Sequence, residues 1–257
     1  MSVQNPKECY SGGVVIEPAG VIKERQLAGL APSCEIPTGA IVCYDAALWQ
    51  WVTSLKGATE CDGWLAGAYL LPRGGSYVLA MKAAGFGAPT AVMTLEELIA
   101  SGVTRFVSLG AAGGLQEDLG IGDIIICDRA IRDEGTSHHY LPPDHFAHAC
   151  PELTTSLVAA LEGKGLPVRR GTSWTTDALY RETVEDLRRY RDAGTATVEM
   201  EAAALFAVGT YRGVSVSSIF TISDLVSENG WHQQYHSEDK RAGMKQIFDA
   251  ALDAISN

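Results

Sequence analysis

Apolar and polar residues follow a pattern that predicts alternating helices and strands. Between Thr195 and Asp224, a run of strong helix formers (202–208) precedes a turn at Gly213 and then an alternating β-branched segment. We predict a helix that leads into a buried strand whose last residue is Asp224. In open α/β sheets ligands bind outside the carboxyl ends of strands, so a carboxylate there is well placed for chemistry.

The same patterns predict elements along most of the chain. Residues 1–39 are weakly patterned and interrupted by prolines, so we interpret them as an arm that packs on the core or on a neighbouring subunit. The remaining segments predict one domain, residues 40–257. We expect strands at 40–43, 77–81, 104–110, 122–135 and 167–176, a hairpin turn at 72–75, a glycine-rich turn at 111–115, a loop at 137–143, and helices from 46 and at 90–102, 151–165, 179–194 and 239–255.

Composition narrows the class of protein. The net charge of −11 argues against nucleic acid or an anionic membrane as partner, because both require basic surface. No apolar run reaches the ~18 residues of a membrane span, and the N-terminus lacks a secretory pattern. The six cysteines show no metal-binding spacing, so we expect lone buried thiols, a cytoplasmic location, and no metal or cofactor.

Four motifs, in this order, resemble the nucleoside phosphorylase/nucleosidase family, the group of purine nucleoside and uridine phosphorylases. They are GFGAPTAVMTLEEL (85–98), VSLGAAGGLQEDLGIGDIII (107–126), GTSWTTDALY (171–180), and VEMEAAALFAV followed by a strand ending in SD. The resemblance implies a single-domain three-layer α/β/α fold with a central mixed sheet. It also implies a homo-oligomer (dimer, trimer or hexamer) that acts on a small-molecule nucleoside.

The resemblance also implies roles for the acidic residues. Cleaving an N-glycosidic bond produces an oxocarbenium-like ribose and an anionic base, so a protein can protonate the base and stabilise the sugar. By resemblance Asp224 protonates the base, supported by Lys240 or Arg241, and Glu201 accepts hydrogen bonds from the ribose hydroxyls. Met200 would pack under the sugar. The remaining residues expected to line the substrate are Ala112, Gly113, Thr176, Leu179, Val198, Glu199 and Ser223.

The positions that bind phosphate in this family have changed. Where phosphorylases have a glycine, two arginines and a serine or threonine, this chain has Tyr44, Leu48, Ser108 and Ala111. These four residues, called the anion seat below, cannot neutralise phosphate as arginine does through charge-assisted pairs. Hydrolytic relatives have a glutamate at the position of Leu48, which is also missing. Asp45 lies on the same turn and is a weaker candidate for activating water.

Other residues leave alternatives open. Leu179 occupies the position of a phenylalanine that stacks on the base in family members. Trp174 or Tyr180 would supply this stacking instead, although a tryptophan on a strand beside an apolar core also fits a structural role. Lys82 and Arg73, near the motif at 85–98, are the basic residues that could replace the lost phosphate contacts, and Arg73 more simply fits a solvent-facing turn.

His138 and His139 lie in a segment that resembles a uridine phosphorylase loop, where an exposed histidine is usually just solvated. His232 and His236 lack a third metal ligand.

The leading hypothesis is an enzyme that cleaves or transfers the glycosidic bond of a purine-type nucleoside, with the acceptor undefined. One alternative is a family scaffold recruited to a modified nucleoside in a specialised pathway. Another is a non-catalytic nucleoside-binding protein that retained Glu201 without turnover.

Overall fold

A computed structural model describes residues 13–228 and 230–256. Its helices are α1 Pro18–Leu27, α2 Ala46–Thr53, α3 Ala88–Ala100, α4 Pro151–Glu162, α5 Val184–Asp192, α6 Ala202–Arg212 and α7 Glu238–Ser256. Its strands are β1 Gly39–Cys43, β2 Thr59–Glu60, β3 Ala68–Arg73, β4 Ser76–Lys82, β5 Arg105–Gly114, β6 Ile124–Asp133, β7 Phe146–His148, β8 Arg169–Thr176, β9 Thr197–Glu199, β10 Ser215–Ser227 and β11 Gly230–Gln233.

The described strands form one mixed sheet, part of which closes on itself. The order is β11-β10-β6-β8-β9-β5-β1-β4-β3-β2, and β7 pairs with β6. Because β5 pairs with both β9 and β10, the strands β10, β6, β8, β9 and β5 form a closed ring. Within this ring, Gly113 at the carboxyl end of β5 pairs with Val198 of β9 and with Asp224 of β10, which brings these residues together.

Helices cover both faces of the sheet, which confirms the predicted three-layer architecture. One core lies between the sheet and the helices α3 and α6, and the other lies between the sheet and α2, α4 and α7. Helix α6 forms because its run of alanine, leucine and phenylalanine is buried throughout its first two turns. It ends at Gly213, whose left-handed φ of 68° favours glycine.

Several sequence predictions require correction. The turn expected at 111–115 is strand as far as Gly114, because β5 pairs with β10 and β9 up to that residue. Helix α5 begins only at Val184, because Thr183 caps it through the backbone N–H of Asp186. Strand β10 continues three residues beyond Asp224, because it pairs there with β11.

The segment expected to be an arm contains α1, with Pro18 as its first residue, where a proline is tolerated. Arg25 of α1 makes a bidentate ion pair with Glu97 of α3. Residues 1–12 of the predicted arm lie outside the described residues.

The expectation of lone thiols is wrong for two cysteines. Cys34 and Cys61 form a disulfide with Cα atoms 5.4 Å apart, which joins the segment before β1 to the one before β3. Two hydrogen bonds between Ser33 and Asp62 accompany it. Cys43 and Cys127 are buried free thiols, Cys150 is a partly buried one, and Cys9 lies outside the described residues.

Candidate active site

The carboxylate of Glu199 is enclosed by four hydrogen-bond donors. Its Oε1 accepts from Ser173 Oγ at 3.1 Å and from Thr175 Oγ1 at 2.5 Å. Its Oε2 accepts from the backbone N–H groups of Glu201 and Ala202, both at 2.7 Å. Burial nevertheless raises the pKa of Glu199 above its ordinary value. The side chain therefore fixes the turn that presents Met200 and Glu201, rather than offering its oxygens to a ligand.

Glu201 is held much more loosely. Its Oε1 accepts a hydrogen bond from the backbone N–H of Gly87 at 2.6 Å; the backbone N–H of Met200 also lies near the carboxylate, and Oε2 accepts no well-formed hydrogen bond within the described part of the chain. Gly87 has a φ of 92°, a conformation that disfavours other residues. Burial, and secondly the charge of Glu199, raise the pKa of Glu201 to about 8. An open carboxylate oxygen in a partly buried site is suited to accept a hydrogen bond from a hydroxyl.

Asp224 lies at an irregularity of β10. The pairing with β5 shifts by one residue between Ile222 and Asp224, which leaves Ser223 as the extra residue. Asp224 is 6% exposed; Oδ1 accepts from Ser223 Oγ at 2.6 Å and Oδ2 from Trp231 Nε1 at 2.7 Å. A side chain at Gly113 would approach Asp224 Oδ2 to 3.2 Å, so the glycine keeps this corner open.

The predicted cationic support for Asp224 is wrong. Lys240 is 4% exposed and makes an ion pair with Asp45, and Arg241 pairs with Glu238 on the surface. Asp45 also caps α2 through the N–H of Leu48, so two partners hold its carboxylate and it is unsuited to activate water. The donor that sequence reasoning missed is Trp231, which reaches Asp224 because β11 folds back along β10.

The anion seat is lined by buried or neutral groups. Leu48 is 3% exposed and packs in the core, and Ser108 is 5% exposed. The Tyr44 hydroxyl lies beside Ser108 and near the carboxylate of Glu201, but it is buried without a hydrogen-bond partner among the described residues. Burial, and secondly the charge of Glu201, hold the pKa of Tyr44 well above its usual range. This corner offers hydroxyl groups and no positive charge.

The two basic residues before the motif at 85–98 are placed differently, and Lys82 pairs in register with Cys43, the residue before Tyr44 of the anion seat. Arg73 forms ion pairs with Asp249 and Asp253 of α7, so it braces the hairpin rather than the site. Lys82 is exposed at the end of β4.

The expected lining residues fall into two groups. Those on strands are buried, and those after β8 are exposed. Leu179 is 44% exposed and Tyr180 is 95% exposed, whereas Trp174 is 2% exposed and donates Nε1 to Asp133 at 2.9 Å, so Trp174 is structural. Met200 and Ala111 are partly buried. The buried group consists of Ala112, Gly113, Thr176, Val198 and Ser223.

Glu182 is a second acidic residue that the motifs do not reveal. It is partly buried, and burial, followed by the charge of Asp224, raises its pKa to about 7. The hydroxyl of Tyr235 lies near both Glu182 and Asp224. Burial, followed by the charges of Asp224 and Glu182, raises the pKa of Tyr235 to about 12. Trp231 contacts Tyr235 edge to face at 5.9 Å. Glu182 lies just beyond the third motif, where no sequence pattern marks it.

The remaining candidates are placed as follows. His138 contacts both the guanidinium and the carbonyl of the buried Arg132, which holds the loop before β7. Trp231, His232 and His236 are exposed.

Within residues 13–228 and 230–256, no three His, Cys, Asp or Glu side chains are grouped closely enough for a metal. None of the helices there has the length and apolar character needed to cross a bilayer.

Comparison with known proteins gives a consistent result. The family model described as the phosphorylase superfamily matches residues 65–254. A guanosine phosphorylase of Halorubrum lacusprofundi is 34% identical over 152 residues, which span 59% of this chain and 63% of that protein. A DeoD-type purine nucleoside phosphorylase of Bacillus cereus is 31% identical over 178 residues, or 68% of this chain and 74% of that protein.

Two solved structures share the fold. Uridine phosphorylase from Vibrio fischeri superposes with a TM-score of 0.74 at 24% identity, covering 86% of this chain and 93% of that one. Purine nucleoside phosphorylase from Toxoplasma gondii, in complex with immucillin-H, gives 0.78 at 18% identity, covering 87% and 92%. The family model, the sequence relatives and the shared fold lead to one conclusion: this chain belongs to the phosphorylase superfamily and has the fold of a nucleoside phosphorylase.

Proposed function

We propose that this protein cleaves or transfers the N-glycosidic bond of a purine-type nucleoside, and that it does so without phosphate in the anion seat. The observation that carries the proposal is the contrast within one site. Glu201 and Asp224 are held by specific donors, whereas the positions that would neutralise phosphate contain Leu48 in the core and an unpartnered Tyr44 hydroxyl.

The sugar would be bound by Glu201. Its free Oε2 would accept hydrogen bonds from the ribose hydroxyls, and these bonds strengthen as the sugar gains positive charge in the transition state. The Gly87 N–H holds Oε1, and Glu199 fixes the turn below it. The carboxylate is therefore positioned before the substrate arrives.

The base would be protonated at Asp224. Glu182 lies near Asp224 and its pKa is raised to about 7, so Glu182 retains a proton near neutral pH and would supply one to this part of the site. Ser223 and Trp231 would hold the Asp224 carboxylate after it has given the proton up. The purine preference rests on the aspartate at this position and on the similarity to purine and guanosine phosphorylases.

The acceptor for the sugar would be a neutral molecule, and water is the simplest candidate. A phosphate dianion needs compensating positive charge in a buried site. The nearest buried cation of the neighbouring helix, Lys240, is already paired with Asp45. Ser108 provides a hydroxyl group that suits water instead.

Release of free base from adenosine, inosine and 5′-methylthioadenosine tests this proposal, measured with and without added phosphate. We expect release from at least one nucleoside, at a rate that phosphate changes by no more than about twofold. A strict phosphate requirement would contradict the proposal. Nucleoside binding without any release would instead favour the non-catalytic alternative.

A further inference from the structure

A cavity of about 330 Å³ lies between β6, β7, β8 and α5, and its lining is rich in arginine. Arg129 and Arg189, whose side chains are exposed, line it together with His145. The chain carries a net charge of −11, whereas these arginine side chains are positively charged. A cavity of this size lies at the lower end of the range for small-molecule sites, roughly 300–1,000 Å³.

The cavity is separate from the candidate active site. Side chains alternate along β8: the hydroxyls of Ser173 and Thr175 bind Glu199, whereas Thr172 lines the cavity. The two sites share no lining residue. An inference about the cavity is therefore independent of the proposed function.

Arg129 presents an unused edge to the cavity. Its guanidinium stacks over the ring of Phe146 at 4.2 Å, and Nε donates to Thr172 Oγ1 at 3.1 Å. Both Nη atoms lack a hydrogen bond or ion pair to any residue in the described ranges. Stacking and the Nε bond fix the plane of the group, so the two terminal nitrogens are preorganised for a bidentate anion.

Arg189 adds a second positive charge from α5. It stacks over Tyr190 at 4.5 Å and uses Nη2 for Asp186 and the Tyr190 hydroxyl, so Nη1 and Nε have no partner within the described ranges. The guanidinium of the buried Arg132 instead donates to Ser137 Oγ and to the carbonyls of Leu141 and Pro142, which lie outside the lining, so it holds the loop before β7. The one carboxylate in the lining, Asp133, is engaged by the Trp174 indole.

We propose that this cavity binds the phosphate group of a small molecule. Guanidinium groups match the geometry of phosphate oxygens, and those of Arg129 and Arg189 would offset the charge of a phosphate dianion. A free phosphate ion would leave much of the cavity unfilled, whereas a phosphate monoester such as a sugar phosphate or a nucleotide would place its organic part along Ile131 and Tyr190.

Isothermal titration calorimetry at low ionic strength tests this directly, with inorganic phosphate, ribose 5-phosphate and AMP as separate probes. We expect saturable binding with a Kd of about 1 mM or below for at least one probe, and weakening by added salt. Comparison of the three probes shows whether the free ion, a sugar phosphate or a nucleotide is preferred. Arg129→Gln should weaken binding about tenfold or more, because it removes charge-assisted hydrogen bonds.

Arg170→Gln is the matched control. It removes one arginine from the neighbouring strand, but Arg170 pairs with Asp128 outside the cavity, so we expect binding within about twofold of the wild type. Circular dichroism checks that both variants fold. Absence of saturable binding by all three probes, or equal binding by the wild type and Arg129→Gln, would overturn the proposal.

Discussion

Two halves of the candidate active site differ in how their polar groups are satisfied. On the sugar and base half, Glu199 accepts four hydrogen bonds, Asp224 accepts two, and Glu201 keeps one oxygen open. In the anion seat, Leu48 is buried in the core and the Tyr44 hydroxyl has no partner within the described ranges. Buried polar groups are normally hydrogen-bonded, so the two halves differ in how completely the protein itself satisfies them, and under the proposed function the second half binds no phosphate.

Under the proposed function, one site keeps part of its family's chemistry and loses another part. Cleavage of a glycosidic bond needs a proton for the base and negative charge near the sugar, and both requirements concern carboxylates. Phosphate needs positive charge, which neither Tyr44 nor Leu48 can supply. The following experiments test each half, beginning with the largest expected effect.

Asp224→Asn should abolish most of the base release. The variant keeps an acceptor for Trp231 but has no carboxyl proton to give, so we expect kcat to fall by roughly 10²–10⁴ while nucleoside binding is retained. Steady-state kinetics and equilibrium binding measure the two quantities. Asp239→Asn, an exposed change on α7, should leave both unchanged. A fully active Asp224→Asn enzyme would remove the general-acid assignment.

At pH 9, above the pKa of about 8 at which Glu201 becomes charged, Glu201→Gln should lower kcat/KM by roughly 10- to 100-fold, because hydrogen bonds to a charged acceptor become weaker neutral ones. We expect both a higher KM and a lower kcat. Unchanged kinetics would exclude Glu201 from the ribose site. The exposed Glu185, changed to glutamine, serves as a control.

The same variant should gain stability at high pH. Because the pKa of Glu201 is raised to about 8, the native protein keeps a proton that the unfolded chain loses, and stability falls as pH rises from about 4.5 to 8. We expect Glu201→Gln to exceed the wild type in free energy of unfolding by on the order of 1 kcal/mol at pH 8, and to match it near pH 5. Urea denaturation at both pH values measures this; equal values at pH 8 would show that Glu201 is not held in a raised-pKa environment.

Trp231→Phe should reduce kcat by about tenfold and leave KM nearly unchanged, because the ring remains while the donor to Asp224 is lost. The pH–rate profile should also move to higher pH, since the anionic carboxylate has lost a donor. A merely structural residue would lower stability without moving the profile. An unmoved profile would therefore contradict a role for Trp231 in holding Asp224.

Tyr44→Phe should have the smallest effect. The hydroxyl makes no hydrogen bond, so its removal should change activity by no more than about twofold and raise the free energy of unfolding by up to about 1 kcal/mol. Tyr190→Phe, which removes a hydroxyl that accepts from Arg189 at 2.8 Å, should not be stabilising. A loss of activity above about tenfold in Tyr44→Phe would show that the anion seat takes part in the reaction.

Long helices and strands with a clear hydrophobic period could be predicted from the sequence. The contacts that hold the site residues in place could not. The pattern at 202–208 and the stripe along the last helix identify α6 and α7. In contrast, β9 and β11 have only three and four residues, too few to show a period. The pairing of Lys240 with Asp45, 195 positions apart, depends on the folded sheet. The contact from Trp231 to Asp224 likewise requires β11 to fold back along β10.

The acceptor of the sugar is the most direct test of the difference between the two halves. A nucleoside that the enzyme cleaves should be incubated in H₂¹⁸O with phosphate present, and the sugar product should be analysed by mass spectrometry. We predict free ribose that carries one ¹⁸O atom, because water attacks where the anion seat cannot hold phosphate. Ribose 1-phosphate without the label would show that phosphate still binds there and would contradict this account.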